Sequence, residues 1–186
     1  MKYSHTLAVA FTACMGFSPM VAGILGTACI GSLDAMSSLP GDFVENIRKQ
    51  SCQAGCAPKF DHWDKYGKEA VLKPLAADGA RYAGVPDAQD ATFNFLDQVY
   101  QGVTEDCKDK LSQDAHLCEE PELLQPFLDC AKSKARGHAV SSLSILLPWA
   151  KEDACKKTTE YLHSSTLWDE DFPKNFKGYV EKCHEL

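Results

Sequence analysis

The sequence predicts an all-α protein, a compact multi-helix bundle cross-linked by about four disulfides. Apolar residues recur every three or four positions along most of the chain, which is the period of an amphipathic helix. No stretch of useful length alternates apolar and polar residues as a half-buried strand does. Cysteines are spread across the chain behind an uncharged leader, and eight of them are expected to form the bridges: Cys29, Cys52, Cys56, Cys107, Cys118, Cys130, Cys155 and Cys183.

The N-terminal segment, residues 1–28, is predicted to be a signal peptide. Lys2 precedes an apolar run from Leu7 to Phe17, and small residues follow that suit signal peptidase. We expect cleavage between residues 22 and 28, which leaves residues 29–186 as a single helical, disulfide-rich domain. Removing Lys2 changes the net charge from −7 to −8. An acidic surface of this kind argues against nucleic acid and anionic membranes as partners.

Three other interpretations of the chain ends stay open. The uncharged stretch is long enough to be a retained membrane anchor, although glycines and Pro19 interrupt it and no basic stop-transfer cluster follows. Ala28 before Cys29 weakly resembles a bacterial lipoprotein signal. The final residues, His184-Glu185-Leu186, echo a signal for retention in the endoplasmic reticulum. The main expectation is a secreted protein without stable membrane insertion.

Cysteine parity supports cleavage before Cys29, because it discards Cys14 and leaves an even number of thiols. Cys52 and Cys56 stand four residues apart, so on one helix they share a face. Helical geometry holds their side chains too far apart to bond each other. We therefore expect each to bridge to a different later helix, with the remaining connectivity undetermined.

The first half of the mature chain is predicted to hold two helices and then a loop. The first begins near Pro40, turns Phe43, Val44 and Ile47 to one face, and ends at Pro58. A second helix over residues 69–75 is weakened by an internal proline, and the turn chemistry of residues 78–86 predicts a loop.

The second half is predicted to begin with the strongest helix, capped by Asp87 and carrying an apolar stripe from Phe93 to Leu111. A further helix is expected to start at residues 119–122 and to close at Gly137. Residues 140–147 form the most apolar segment, and Pro148 is expected to restart a helix after it. The remaining elements are an acidic exposed turn at residues 168–171 and a short terminal helix over residues 172–183.

The leading functional prediction is non-catalytic binding, since no catalytic motif, metal-ligand spacing or cofactor fingerprint occurs in the sequence. Leader, even cysteines and compact size are typical of an effector or virulence-type protein that acts on a host macromolecule outside the producing cell. Trp63, Tyr66 and Trp168 are the predicted contacts, because aromatic residues are enriched at binding hot spots.

One alternative is an extracellular carrier of a small apolar ligand. The Cys52–Cys56 step resembles that of insect odorant-binding proteins, whose helices enclose an apolar pocket. The later cysteine spacing departs from that pattern. The resemblance implies a cavity beside Leu143, Ile145, Leu146 and Leu147.

A second alternative is a lipid hydrolase centred on His62 and Asp64. Secreted phospholipases A2 place a histidine–aspartate pair beside a half-cystine on a helix, and this segment follows Cys56 in a similar way. Here the acid stands two residues after the histidine, and no glycine-rich calcium loop accompanies it.

Overall fold

A computed structural model describes residues 26–59, 62–111 and 117–186 of the chain. Over these residues the protein is helical, without strands, as the sequence predicts. The seven α-helices are α1 (Thr27–Ala35), α2 (Leu39–Gln53), α3 (Lys73–Tyr82), α4 (Gln89–Cys107), α5 (Gln125–Ser142), α6 (Glu152–Leu162) and α7 (Phe172–Lys182). Most of the predicted leader lies outside the described residues, so its cleavage stays a prediction.

Two π-helical segments interrupt this pattern. The first, π1 (Trp63–Leu72), runs directly into α3, and the second, π2 (Thr166–Asp171), runs into α7. At the junction of π1 with α3, the amide of Lys73 donates to the carbonyl of Lys68 five residues earlier. Pro74 has no amide hydrogen to donate, and the wider turn before it lets the helix continue through the proline.

The helices pack in neighbouring pairs around a common centre. The most extensive contacts join α4 to α5, α1 to α6 and α3 to α4, while α2 lies against α5 and α7. Helix α1 is fixed at its first turn by Glu152, whose carboxylate accepts hydrogen bonds from the Thr27 hydroxyl and the Ala28 amide. The start of α1 therefore depends on a side chain of α6.

Four disulfides cross-link the described part of the chain, as the sequence predicts. They join Cys29 to Cys155, Cys52 to Cys118, Cys56 to Cys183 and Cys107 to Cys130. Cys52 and Cys56 are each expected to bridge to a different later helix; their partners are indeed different, but Cys118 lies in a turn and Cys183 in a 3₁₀ turn after α7. Three of the bridges close loops of 66 to 127 residues, and a loop near 100 residues stabilises the fold by up to about 4.7 kcal/mol.

The predicted loop at residues 78–86 is wrong over its first half, because Asp78 and Gly79 belong to α3. Asp78 is 8% exposed. It pairs with Arg81 and accepts a hydrogen bond of 2.8 Å from Asn175 on α7. A Cβ atom on Gly79 would lie 3.2 Å from the ring of Tyr161, so glycine lets α3 approach α6 closely. Tertiary packing thus overrides the local turn signal.

Several predicted helix ends also move. Helix α2 ends at Gln53 rather than at Pro58, because Gly55 takes a left-handed backbone with φ of 72°. Asp87 lies in a 3₁₀ turn, Pro86–Ala88, instead of capping α4. Helix α5 passes through Gly137 to Ser142, since buried alanines pack on both sides of that glycine. The acidic residues 168–171 form part of π2 rather than a turn.

Candidate functional site

The buried apolar residues form three separate clusters. The largest joins α1, α4, α5 and α6, the second joins π1, π2 and α7, and a small third one joins Leu72, Ala76 and Phe93. A domain of this size usually has one contiguous core. The division calls for an account of what lies between the clusters.

A cavity of about 690 Å³ lies between them, and members of all three clusters form its wall. Its lining is overwhelmingly apolar. Helix α2 contributes Leu39, Phe43, Val44 and Ile47 to the wall, and all four side chains remain only half-buried. Ser51 is the one fully buried residue of α2. The apolar face of this helix therefore borders the cavity and also packs against its neighbours, since the ring of Phe43 lies 5.3 Å from that of Phe172 on α7.

Most of the lining residues are buried or half-buried. Among them Lys59 alone is exposed, and it stands in the segment that connects α2 to π1. Val71 and Leu33 are among the most buried residues of the wall, at 1% and 3% exposed. The cavity is partly open to the surface.

A small polar region interrupts the apolar wall where π1 meets α4. The rings of Trp63 and Tyr100 lie 4.4 Å apart between centroids, and Thr104 follows Tyr100 one turn later on α4. Burial, reinforced by the nearby charges of Asp64 and Asp97, raises the pKa of Tyr100 to about 12. The nearby Thr104 hydroxyl lowers the pKa of Tyr100 and so offsets part of this rise. Its geometry falls short of a full hydrogen bond.

His62 and Asp64 lie in different environments. His62 is 4% exposed, and its Nδ1 atom lies 2.9 Å from the Tyr179 hydroxyl. Asp64 faces solvent. A hydrolytic dyad needs base and orienting acid within hydrogen-bond reach. The structure instead assigns His62 to a buried contact that links the start of π1 to α7.

The three predicted contact residues pack against neighbouring residues instead of standing free on the surface. Trp63 stacks on Tyr100 and covers Gly67, where a Cβ atom would lie 2.8 Å from the indole ring. Tyr66 is half-buried, with its ring 6.1 Å from that of Tyr179. Trp168 is half-buried, and its indole nitrogen donates to the Leu162 carbonyl at 2.9 Å. Both tryptophans line the cavity.

The structure places the segment singled out for the carrier alternative at one side of the cavity. Leu143 and Leu146 belong to the wall, together with Trp149 and Ala150. Leu147 is 45% exposed and points away from it. Sequence reasoning missed the other side of the wall, above all the contribution of α2. The sequence feature that could have indicated this side of the wall was the apolar face of α2 at Phe43, Val44 and Ile47.

Within the described ranges, no group of three or more histidine, cysteine, aspartate or glutamate side chains is placed to hold a metal ion. Among the same residues, no helix combines the length and apolar character needed to cross a bilayer.

Comparison with known proteins gives no relative from which to transfer a function. No family model, curated protein or solved structure matches this chain.

Proposed function

We propose that this protein is an extracellular, non-catalytic carrier that encloses a small apolar molecule in its central cavity. The cavity is the observation that supports the proposal most strongly. Its volume of about 690 Å³ lies within the range of ligand pockets, roughly 300–1,000 Å³, and its lining is apolar with few polar groups. Four disulfides support maturation in an oxidising compartment outside the cytosol.

The disulfide framework also suits the carrier role physically. A domain that leaves a large apolar space at its centre forgoes contact energy that a filled core would supply. Bridges that close long loops offset this loss by restricting the unfolded chain. The prediction that the protein binds a host macromolecule stays a prediction, and the packed positions of Trp63, Tyr66 and Trp168 give it little support.

The test begins with protein secreted by a eukaryotic host and purified without detergent. Native mass spectrometry should show an adduct that disappears on organic extraction. The extracted protein should then bind the apolar fluorophore N-phenyl-1-naphthylamine saturably, with one site per chain. Absence of an adduct together with absence of saturable fluorophore binding would contradict the carrier proposal.

A matched pair of variants links binding to the cavity itself. Ala135 lines the cavity, whereas Ala139, one turn further along α5, is fully buried outside the lining. Ala135→Leu should weaken fluorophore binding because it occupies cavity volume. Ala139→Leu should leave the affinity of the folded protein unchanged. Equal affinities for the two variants would place the fluorophore elsewhere.

A further inference from the structure

The cavity wall carries two buried polar atoms that lack hydrogen-bond partners within the described chain. They are Nε1 of Trp63 and Oγ1 of Thr104. Burying an unpaired donor or acceptor is unfavourable, so groups of this kind need an explanation. Both belong to the polar region where π1 meets α4: Trp63 stacks on Tyr100, and Thr104 follows Tyr100 one turn later.

Three other polar groups of the wall are satisfied by the protein. The Thr158 hydroxyl donates to the Ala154 carbonyl at 2.9 Å, and the Ser32 hydroxyl donates to the Cys29 carbonyl at 2.8 Å. The indole nitrogen of Trp168 donates to a backbone carbonyl as well. The contrast singles out the region around Tyr100 as the stretch of wall that has hydrogen-bonding capacity to offer a ligand.

The charges near this region disfavour an anion. Asp64 and Asp97 both act on Tyr100, and each raises the pKa of its phenol. Asp97 is partly neutralised by Lys68, whose Nζ atom lies 2.6 Å from one carboxylate oxygen. A carboxylate on the ligand would meet negative charge here, whereas a neutral hydroxyl can both donate and accept hydrogen bonds.

We propose that Trp63, Tyr100 and Thr104 bind the hydroxyl of an otherwise apolar ligand, so that the cargo is a long-chain or polycyclic alcohol. The ligand hydroxyl accepts from the indole N–H and exchanges hydrogen bonds with the two side-chain hydroxyls. The apolar body fills the space between α2, α4 and α5. This inference rests on the proposed carrier function and adds the chemical class of the cargo to it.

The test compares 1-dodecanol with dodecanoate by isothermal titration calorimetry, using protein extracted free of bound lipid. We expect the alcohol to bind at least about tenfold more tightly than the acid. Thr104→Val keeps the shape of the side chain and removes its hydroxyl. It should weaken dodecanol binding about three- to tenfold, the effect of one lost hydrogen bond. N-phenyl-1-naphthylamine has no hydroxyl, so its affinity should not change.

Thr159→Val is the matched control, because this residue is outside the cavity lining and the hydroxyl that the change removes is already bonded within α6, to the Cys155 carbonyl at 3.2 Å. It should leave dodecanol affinity unchanged. Thr104→Val should also raise the melting temperature of the ligand-free protein, since it removes a buried hydroxyl without a partner. This readout shows that weaker binding does not come from unfolding.

Two results would overturn the inference while leaving the carrier function intact. One is tighter binding of dodecanoate, which would assign the ligand head to the surface beside Lys59. The other is equal loss of dodecanol affinity in Thr104→Val and Thr159→Val. If neither dodecanol nor the fluorophore binds the wild-type protein, the carrier function itself fails.

Discussion

Enlarging Ala135 of α5 should stabilise the protein, because this residue borders the cavity. Leucine at position 135 adds three carbon atoms that enter the cavity. Burying them contributes about 0.8 kcal/mol each, or roughly 2.4 kcal/mol in total. Ordering the leucine side chain costs about 0.5–1 kcal/mol. The expected net gain in the free energy of unfolding is therefore about 1.5–2 kcal/mol.

The same change at Ala139 should have the opposite sign. Ala139 is fully buried and does not line the cavity, so leucine there overpacks the core at a cost of about 1–3 kcal/mol. Urea unfolding followed by circular dichroism at 222 nm, with the disulfides intact, measures both variants. The melting temperature of Ala135→Leu should rise by roughly 3–8 °C. Similar destabilisation of both variants would refute the reasoning, because it would mean that position 135 has no free space beside it.

Three further predictions concern the frame around the cavity. Asp78→Ala should lower the free energy of unfolding by about 1.5–3 kcal/mol, because it removes the hydrogen bonds that the buried carboxylate accepts from Arg81 and Asn175. Asp153→Ala, at a 76% exposed side chain, should cost less than about 1 kcal/mol in the same urea assay. The pKa of Tyr100 is raised above its unfolded value, so the stabilisation from the neutral phenol is present below about pH 10 and is lost as the pH rises towards 12. Tyr100→Phe should therefore make the free energy of unfolding fall less steeply between about pH 10 and pH 12. An unchanged slope would contradict this prediction. Intact-mass analysis of the secreted protein should find an N-terminus upstream of Thr27, because the Glu152 carboxylate binds Thr27 and Ala28 in the first turn of α1. A secreted chain that begins at Cys29 would lack both residues and would contradict this prediction.

Periodicity and cysteine positions sufficed for much of the fold. The apolar period of 3.6 residues located the helices, because burying one face is what makes an amphipathic helix form. Cys52 and Cys56 bond to different partners as predicted, but Cys56 lies beyond the end of α2, so the helical geometry behind that prediction does not hold. The terminal helix was also predicted well, since Phe172, Phe176 and Tyr179 mark its buried face.

Local signals failed where distant contacts decide the conformation. Asp78-Gly79 has the sequence of a turn, yet Arg81 and Asn175 satisfy the aspartate inside α3. Gly137 has the sequence of a helix end, yet α5 continues because its alanine face is buried. Neither partner is visible in a short sequence window, so propensity alone gave the wrong boundary.

The carrier alternative implied a cavity beside Leu143 and Leu146, but its extent could not be predicted from the sequence. An apolar side chain that faces a cavity has the same helical spacing as one that faces a packed neighbour. Phe43, Val44 and Ile47 were recognised as an apolar face, but nothing in their spacing shows that this face borders a space. The polar region at Trp63, Tyr100 and Thr104 depends on the packing of π1 against α4, which joins residues from separate parts of the chain.

Xenon binding, followed by NMR on uniformly ¹⁵N-labelled protein, tests the cavity most directly. Xenon enters apolar cavities and perturbs the amides around them. We expect saturable changes in amide chemical shift along residues 39–47 of α2 and along the lining faces of α4 and α5. The exposed Asp169 and Glu170 should change little. Shift changes that are absent, or confined to exposed surfaces, would contradict the presence of an interior ligand cavity.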